Sequence, residues 1–130
     1  MIKSENIILL ENLSQYDYDN KYYDFHNDYD CIKILFDDSE FLVLVFKNIS
    51  SKEIVHLTFK NVSVTKIDFF NFNKVENLTI DNLYRGMGKI RNEFVEFGIE
   101  KRGYFYLEFD EGQKMEFWSC GLEVELNKNL

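Results

Sequence analysis

The sequence predicts a mainly β protein: a single antiparallel β-sandwich or partly open barrel with at most one or two short helical elements. Three observations carry that expectation. Two apolar runs, Cys31-Ile-Lys-Ile-Leu-Phe-Asp37 and Phe41-Leu-Val-Leu-Val-Phe-Lys47, flank the short acidic turn Asp38-Ser-Glu40, the pattern of a β-hairpin. The last third alternates apolar and polar residues in short runs separated by turns, at a spacing typical of antiparallel sandwiches and barrels. Aromatic residues make up 17% of the chain, with 13 Phe and 8 Tyr, an enrichment that favours strands.

In chain order, Ile7–Leu13 is too brief an apolar run to decide between a strand and a helical turn. Residues 14–30 hold five Asp, five Tyr and one Phe without a sustained period. Because Asp and Asn bond locally to the backbone, the stretch reads as an acidic aromatic loop lying on the domain. In the first hairpin strand Ile32, Ile34 and Phe36 share a face. In the second, Phe41, Val43 and Val45 oppose Leu42, Leu44 and Phe46, so this strand is expected to be central. Val55, Leu57 and Phe59 then alternate with His56, Thr58 and Lys60, and Val62 and Val64 extend the pattern. Residues 66–74 are expected to form a short helical turn. Leu78 and Ile80 open a strand ending at Arg85, and Arg85-Gly-Met-Gly-Lys89 reads as a flexible turn. Val95, Phe97 and Ile99 alternate next, then Phe105, Leu107 and Phe109 follow a turn at Lys101-Arg102-Gly103. Asp110–Gln113 turns into Met115 and Phe117. Leu122, Val124 and Leu126 close the pattern after a break at Cys120-Gly121 that reads as a bulge.

Length and composition fit one domain spanning 1–130, since no Pro- or Ser-rich linker interrupts the chain. Ala and Pro are absent while Asn, Lys and Ile abound, which suggests an AT-rich bacterial genome. The formal net charge is −8, a balance that disfavours nonspecific nucleic-acid binding and suits a cationic partner. Neither a signal-peptide pattern nor an apolar run long enough to cross a membrane is present, so the expectation is a cytoplasmic protein. Cys31 and Cys120 lie in or beside apolar runs, where reduced thiols are the usual state.

No motif assembles an enzyme. His26, Cys31, His56 and Cys120 lack the close pairs of a zinc site. Asp17-Tyr-Asp19-Asn20 opens like a calcium loop, but Lys21 would then stand among the ligands and Tyr22 in the glycine position. Gly86-Met-Gly-Lys89 lacks the spacing of a phosphate-binding loop. Asp37 with Asp38, and Asp110 with Glu111, sit in turns where solvated charge is expected. The cluster Arg85, Lys89, Arg91, Lys101 and Arg102 is interrupted by Glu93, Glu96 and Glu100, which argues against the basic groove that strand-stacking aromatics need. No metal or cofactor is expected.

The order Tyr23-Asp-Phe-His26, acidic residues, Ile32-x-Ile34, Leu42-Val-Leu44-Val-Phe46, Val55-x-Leu57-x-Phe59-x-Asn61-Val62 and Phe117-Trp-Ser-Cys120-Gly-Leu-Glu-Val124 resembles small β-rich bacterial families that include immunity proteins of polymorphic toxin systems. The likeness spans about residues 23–126. It departs from those families where they carry a His-Asp step and this chain has His26-Asn27-Asp28. The resemblance implies a non-catalytic binder that neutralises a toxin.

The expected function is therefore binding, with an acidic face steering the chain to a basic toxin domain. The candidate contact residues are Tyr16, Asp17, Tyr18, Asp19, Tyr22, Tyr23, Asp24, Asp28 and Asp30, because Tyr offers large contact area at small entropic cost. A small-ligand module with an aromatic pocket at Tyr106 and Trp118 is the alternative, and a hydrolase with dispersed carboxylates is the third reading.

Overall fold

The computed structural model describes residues 1–37, 40–69, 77–99 and 101–127. After β1 (Ile2–Lys3) and one 3-10 turn at Ser4–Asn6 come β2 (Gln15–Tyr18), β3 (Lys21–Asp24), β4 (Tyr29–Phe36), β5 (Leu42–Asn48), β6 (Ile54–Lys60) and β7 (Ser63–Asp68). β8 (Ile80–Gly86), β9 (Gly88–Ile90), β10 (Glu93–Val95), β11 (Phe97–Ile99), β12 (Arg102–Phe109), β13 (Lys114–Ser119) and β14 (Gly121–Leu126) complete the fold. One five-stranded sheet runs β1-β14-β6-β5-β4; the other runs β11-β12-β13-β7, with β8 also beside β12. All pairings between these strands are antiparallel. The mainly β expectation holds.

The two sheets are joined along one side by a shared ribbon. β6 pairs with β14 in the first sheet, and their continuations β7 and β13 pair in the second. The ribbon bends where Asn61 takes a positive φ of 53° and where Cys120 interrupts the opposite strand, as corner-turning strands do. Ser119 secures the bend, its buried Oγ donating to the Lys60 carbonyl at 2.6 Å while Ser4 Oγ donates to the Ser119 carbonyl at 2.6 Å. Along the other side a single bridge joins Cys31 to Leu78, each N–H donating to the other's carbonyl at 2.8 and 3.0 Å. One bridge in place of a full ladder leaves the barrel partly open.

The alternating runs supply the core. Leu42, Leu44 and Phe46 of the central strand β5 face Val55, Leu57 and Phe59 of β6, all with no exposed surface. The Phe59 ring meets Phe105 edge-on at 5.2 Å and Phe117 at 4.9 Å, linking the sheets. Burying such rings supplies most of the driving force for closing the two layers.

Several expectations change in detail. A bulge between Cys31 and Lys33 shifts the face of β4. Tyr29 and Cys31 are buried, Ile34 packs on the core beyond the bulge, and Phe36 is 41% exposed. An extra residue reverses which side chains point inward. Ile7–Leu13 is neither strand nor helix, yet its ends Ile7 and Leu13 are buried. Lys66–Asp68 belong to β7, where pairing with Glu116, Met115 and Lys114 holds them extended, so no helical turn forms there; the remainder of that expectation from residue 70 to residue 74 falls outside the described residues. The run through Val95, Phe97 and Ile99 is two strands with different partners, β10 against β9 and β11 against β12.

The glycine pair at 86 and 88 is no flexible turn. Neither residue has a positive φ, and both are extended within or at the edge of strands. A Cβ at Gly86 would lie 2.9 Å from the Tyr106 ring, and one at Gly88 would lie 2.9 Å from the Tyr104 ring. The glycines let the backbone cross directly over tyrosines.

Both cysteines are free thiols, Cys31 buried and Cys120 partly exposed. Burial pushes the Cys31 thiol up to about 12, which suppresses the thiolate that alkylating reagents require. In the native protein at pH 8, Cys120 is therefore expected to label and Cys31 to label only on unfolding. Mass spectrometry after a short iodoacetamide pulse checks this; equal labelling of both would contradict the burial of β4.

Candidate functional site

Residues 15–24 form a hairpin rather than a loop. Tyr16 pairs with Tyr23 and Asp17 with Tyr22, around a two-residue turn at Asp19 and Asn20 with φ of 51° and 66°. Two successive left-handed residues match the twist of paired strands, and Asp and Asn tolerate that conformation best after glycine. One face turns inward. Tyr18 is 1% exposed and donates its hydroxyl to the Leu13 carbonyl at 2.8 Å. Tyr23 is buried and stacks on Phe25 at 5.4 Å, which in turn stacks on Phe46 at 4.4 Å. Burial pushes both phenols up. Tyr18 and Tyr23 are thus core residues, enclosed by the fold and unavailable as surface anchors, while Tyr16 is partly buried against them.

The outward face carries the remaining candidates. Asp17 and Asp19 are exposed, and Tyr22 is 59% exposed. Lys21 beside them leans over the Tyr23 ring and bonds to Glu53 at 2.8 Å. Tyr29 also donates its hydroxyl to Glu53. Partial burial would raise the Glu53 carboxyl, but the Lys21 and Tyr29 hydrogen bonds and the Lys21 charge hold it below the usual range. Glu53, which sequence alone did not single out, therefore fastens the hairpin to the first sheet.

The candidate aspartates are divided. Asp24 sits at the far end of the hairpin, where partial burial is outweighed by hydrogen bonds from Asn27 and Gln15 that keep its carboxyl low. Asp28 is exposed in the turn after it, and its carbonyl accepts from the Ile49 N–H at 3.0 Å. Asp30 is paired opposite Lys47 on β4. His26 lies between them, its Nδ1–H donating to the Ile80 carbonyl at 2.6 Å with the Asp81 carboxylate 3.6 Å away.

Among the described residues, Tyr18 and Asp19 of the hairpin border one concave surface, and Asp30 borders another beside Lys47 and Ile49. The hairpin tip stands beside β14, and a groove of about 280 Å³ lies between them, bordered by Tyr18, Asp19, Ile2, Glu123, Val124 and Glu125. Three carboxylates and no basic side chain line it; Glu123 is held by Lys60 at 2.8 Å. Glu123 and Glu125 are legible in the sequence as the outward residues of the last strand, but their proximity to Asp19 is not.

Tyr106 and Trp118 share the outer face of the second sheet and are linked through Tyr104. Tyr84 stacks on Tyr106 at 5.0 Å, Tyr106 meets Tyr104 at 5.3 Å, and Tyr104 meets Trp118 at 4.9 Å. Trp118 is 6% exposed, with Gly88 packed over it. The groove beside Tyr84 and Tyr106 has about 210 Å³ and is bordered by Asn82, Glu108, Lys114 and Glu116. Trp118 does not border it. Burial and the nearby Glu116 push the Tyr106 phenol up to about 12, and its hydroxyl is taken up by the Met87 carbonyl at 2.5 Å. The groove is smaller and more polar than usual small-molecule sites.

Among the described residues no three His, Cys, Asp or Glu side chains cluster as metal ligands would, and no helix is long and apolar enough to cross a membrane. No known protein family, curated protein or solved structure matches this chain.

Proposed function

We propose that this chain is a non-catalytic binding protein of the immunity type, which neutralises a cognate bacterial toxin in the cytoplasm by occluding a basic surface. The observation that supports this reading is the hairpin. Its buried tyrosines fix a rigid platform on which Asp17, Asp19 and Tyr22 project outward. A contact surface already held in place loses little entropy on binding. The acid-lined groove alongside extends the same sign of charge, which speeds encounter with a cationic partner.

The test is surface-binding kinetics against the product of an adjacent toxin gene at several salt concentrations. Changing Asp17, Asp19, Asp24, Asp28 and Asp30 together to Asn should slow association and flatten its salt dependence. Tyr22→Ala should speed dissociation, at a cost of about 2 kcal/mol as a hot spot, with thermal stability unchanged. Binding that is indifferent to both sets of changes would refute the hairpin as the interface.

The small-ligand module is the second reading. It draws on the four-ring run from Tyr84 to Trp118, whose half-buried end at Tyr84 and Tyr106 borders a groove where an aromatic ligand would stack.

A further inference from the structure

Among the described residues, only the first residues of the last strand share its outer edge with a neighbouring strand. β1 pairs with Gly121 and Leu122 alone. From Glu123 onward, no described strand lies on that side of β14. The Asn127 N–H donates to the Ile54 carbonyl, and the register runs Glu125 opposite His56 and Glu123 opposite Thr58. Backbone groups in an antiparallel pair alternate in direction. Glu123 and Glu125 therefore direct their N–H and C=O toward β6, while Val124 and Leu126 direct theirs toward the open side. That open side forms one wall of the acid-lined groove, with Tyr18 and Asp19 across from it.

We infer that the free edge of β14 is a docking site for an extended basic segment of a partner protein, which adds a strand antiparallel to Glu123–Leu126. Main-chain bonds to Val124 and Leu126 supply affinity without regard to sequence. Specificity comes from charge: alternate side chains of the incoming strand run beside Glu125 and end near Asp19, so lysine or arginine fits and an acid does not. An exposed edge invites pairing with any chain, and the carboxylates restrict which chains are accepted. The inference deepens the toxin-binding reading and rests on it for the identity of the partner, but the edge itself can be tested without that partner.

Hydrogen exchange in the free protein should show Val124 and Leu126 amides exchanging faster than those of Glu123 and Glu125; the reverse order would remove the open edge. Isotope-labelled protein is then titrated with a capped peptide of alternating lysine and valine, and with the same peptide carrying glutamate for lysine. The lysine peptide should shift and protect the Val124 and Leu126 amides, and the glutamate peptide should not. Asp19→Asn with Glu125→Gln should weaken the lysine peptide roughly tenfold, and Leu126→Pro, which removes an edge donor at a position where proline is tolerated, should abolish protection at that end. Equal response to both peptides, or shifts confined to other surfaces, would overturn the inference. A toxin that still binds through Tyr22 while being indifferent to Leu126→Pro would leave the toxin-binding reading standing and the edge reading refuted.

Discussion

Tyr18→Ala is expected to cost about 3–5 kcal/mol of stability, the range for removing a buried aromatic ring, and to lower the melting temperature by about 10 °C or more. Tyr18 is 1% exposed, contacts the Tyr16, Tyr23 and Phe25 rings, and bonds through its hydroxyl to the Leu13 carbonyl. Truncation leaves a cavity beneath the hairpin and an unsatisfied buried carbonyl together. Tyr18→Phe separates the two effects, since it keeps the ring and loses only the hydrogen bond, at about 1 kcal/mol. Urea denaturation of the three proteins measures both differences. A Tyr18→Ala protein as stable as the wild type would show that the hairpin is not packed onto the core.

The same burial has a consequence for pH. Tyr18, Tyr29 and Cys31 have folded-state values raised above their ordinary ones, chiefly by burial. The folded chain then holds these protons more tightly than the unfolded chain. Stability from these groups is complete below the ordinary thiol and phenol values and falls as pH rises through them toward the folded values. A decline in melting temperature beginning near pH 9 and steepening above about pH 10 is expected.

Phe59→Ala should be comparably severe, again about 3–5 kcal/mol, and its structural signature should differ. Phe59 is the ring that touches both Phe105 and Phe117 across the sandwich, and it lies one residue before the end of β6, where the ribbon turns into the second sheet. Its loss removes contact between layers at the bend. Amide exchange in β6, β7, β13 and β14 is expected to accelerate together, whereas Tyr18→Ala should accelerate exchange mainly in the β2–β3 hairpin. Uniform acceleration in both variants would mean that the hairpin and the corner open as one unit.

These two residues differ in how far the sequence identified them. Phe59 sits in an uninterrupted alternation with Val55 and Leu57, so its inward direction follows from the two-residue period of a strand. The same local rule pointed Phe105, Leu107 and Phe117 inward, whereas for Leu42, Leu44 and Phe46 it gave only one of two apolar faces of a central strand, and the structure buries that face. Tyr18 carries a polar hydroxyl and stands among aspartates, and that composition reads as solvated chain. Its burial depends on Leu13 offering a carbonyl, which is a tertiary event. The alternation Tyr16-Asp17-Tyr18 and the turn pair Asp19-Asn20 were the available signal for a hairpin, masked by the density of acidic residues.

What the sequence determined by itself is the class of fold and most of its interior, because burial of alternating side chains is decided within each strand. Several features were decided only by tertiary structure: the bulge that redirects β4, the glycines pressed on Tyr104 and Tyr106, and the bend that carries one ribbon through both sheets. Each depends on contact between residues distant in the chain. The candidate site belongs with these. Asp19 and Glu125 lie more than a hundred residues apart in sequence, and only the closing of the hairpin against the edge of β14 places their charges on one groove.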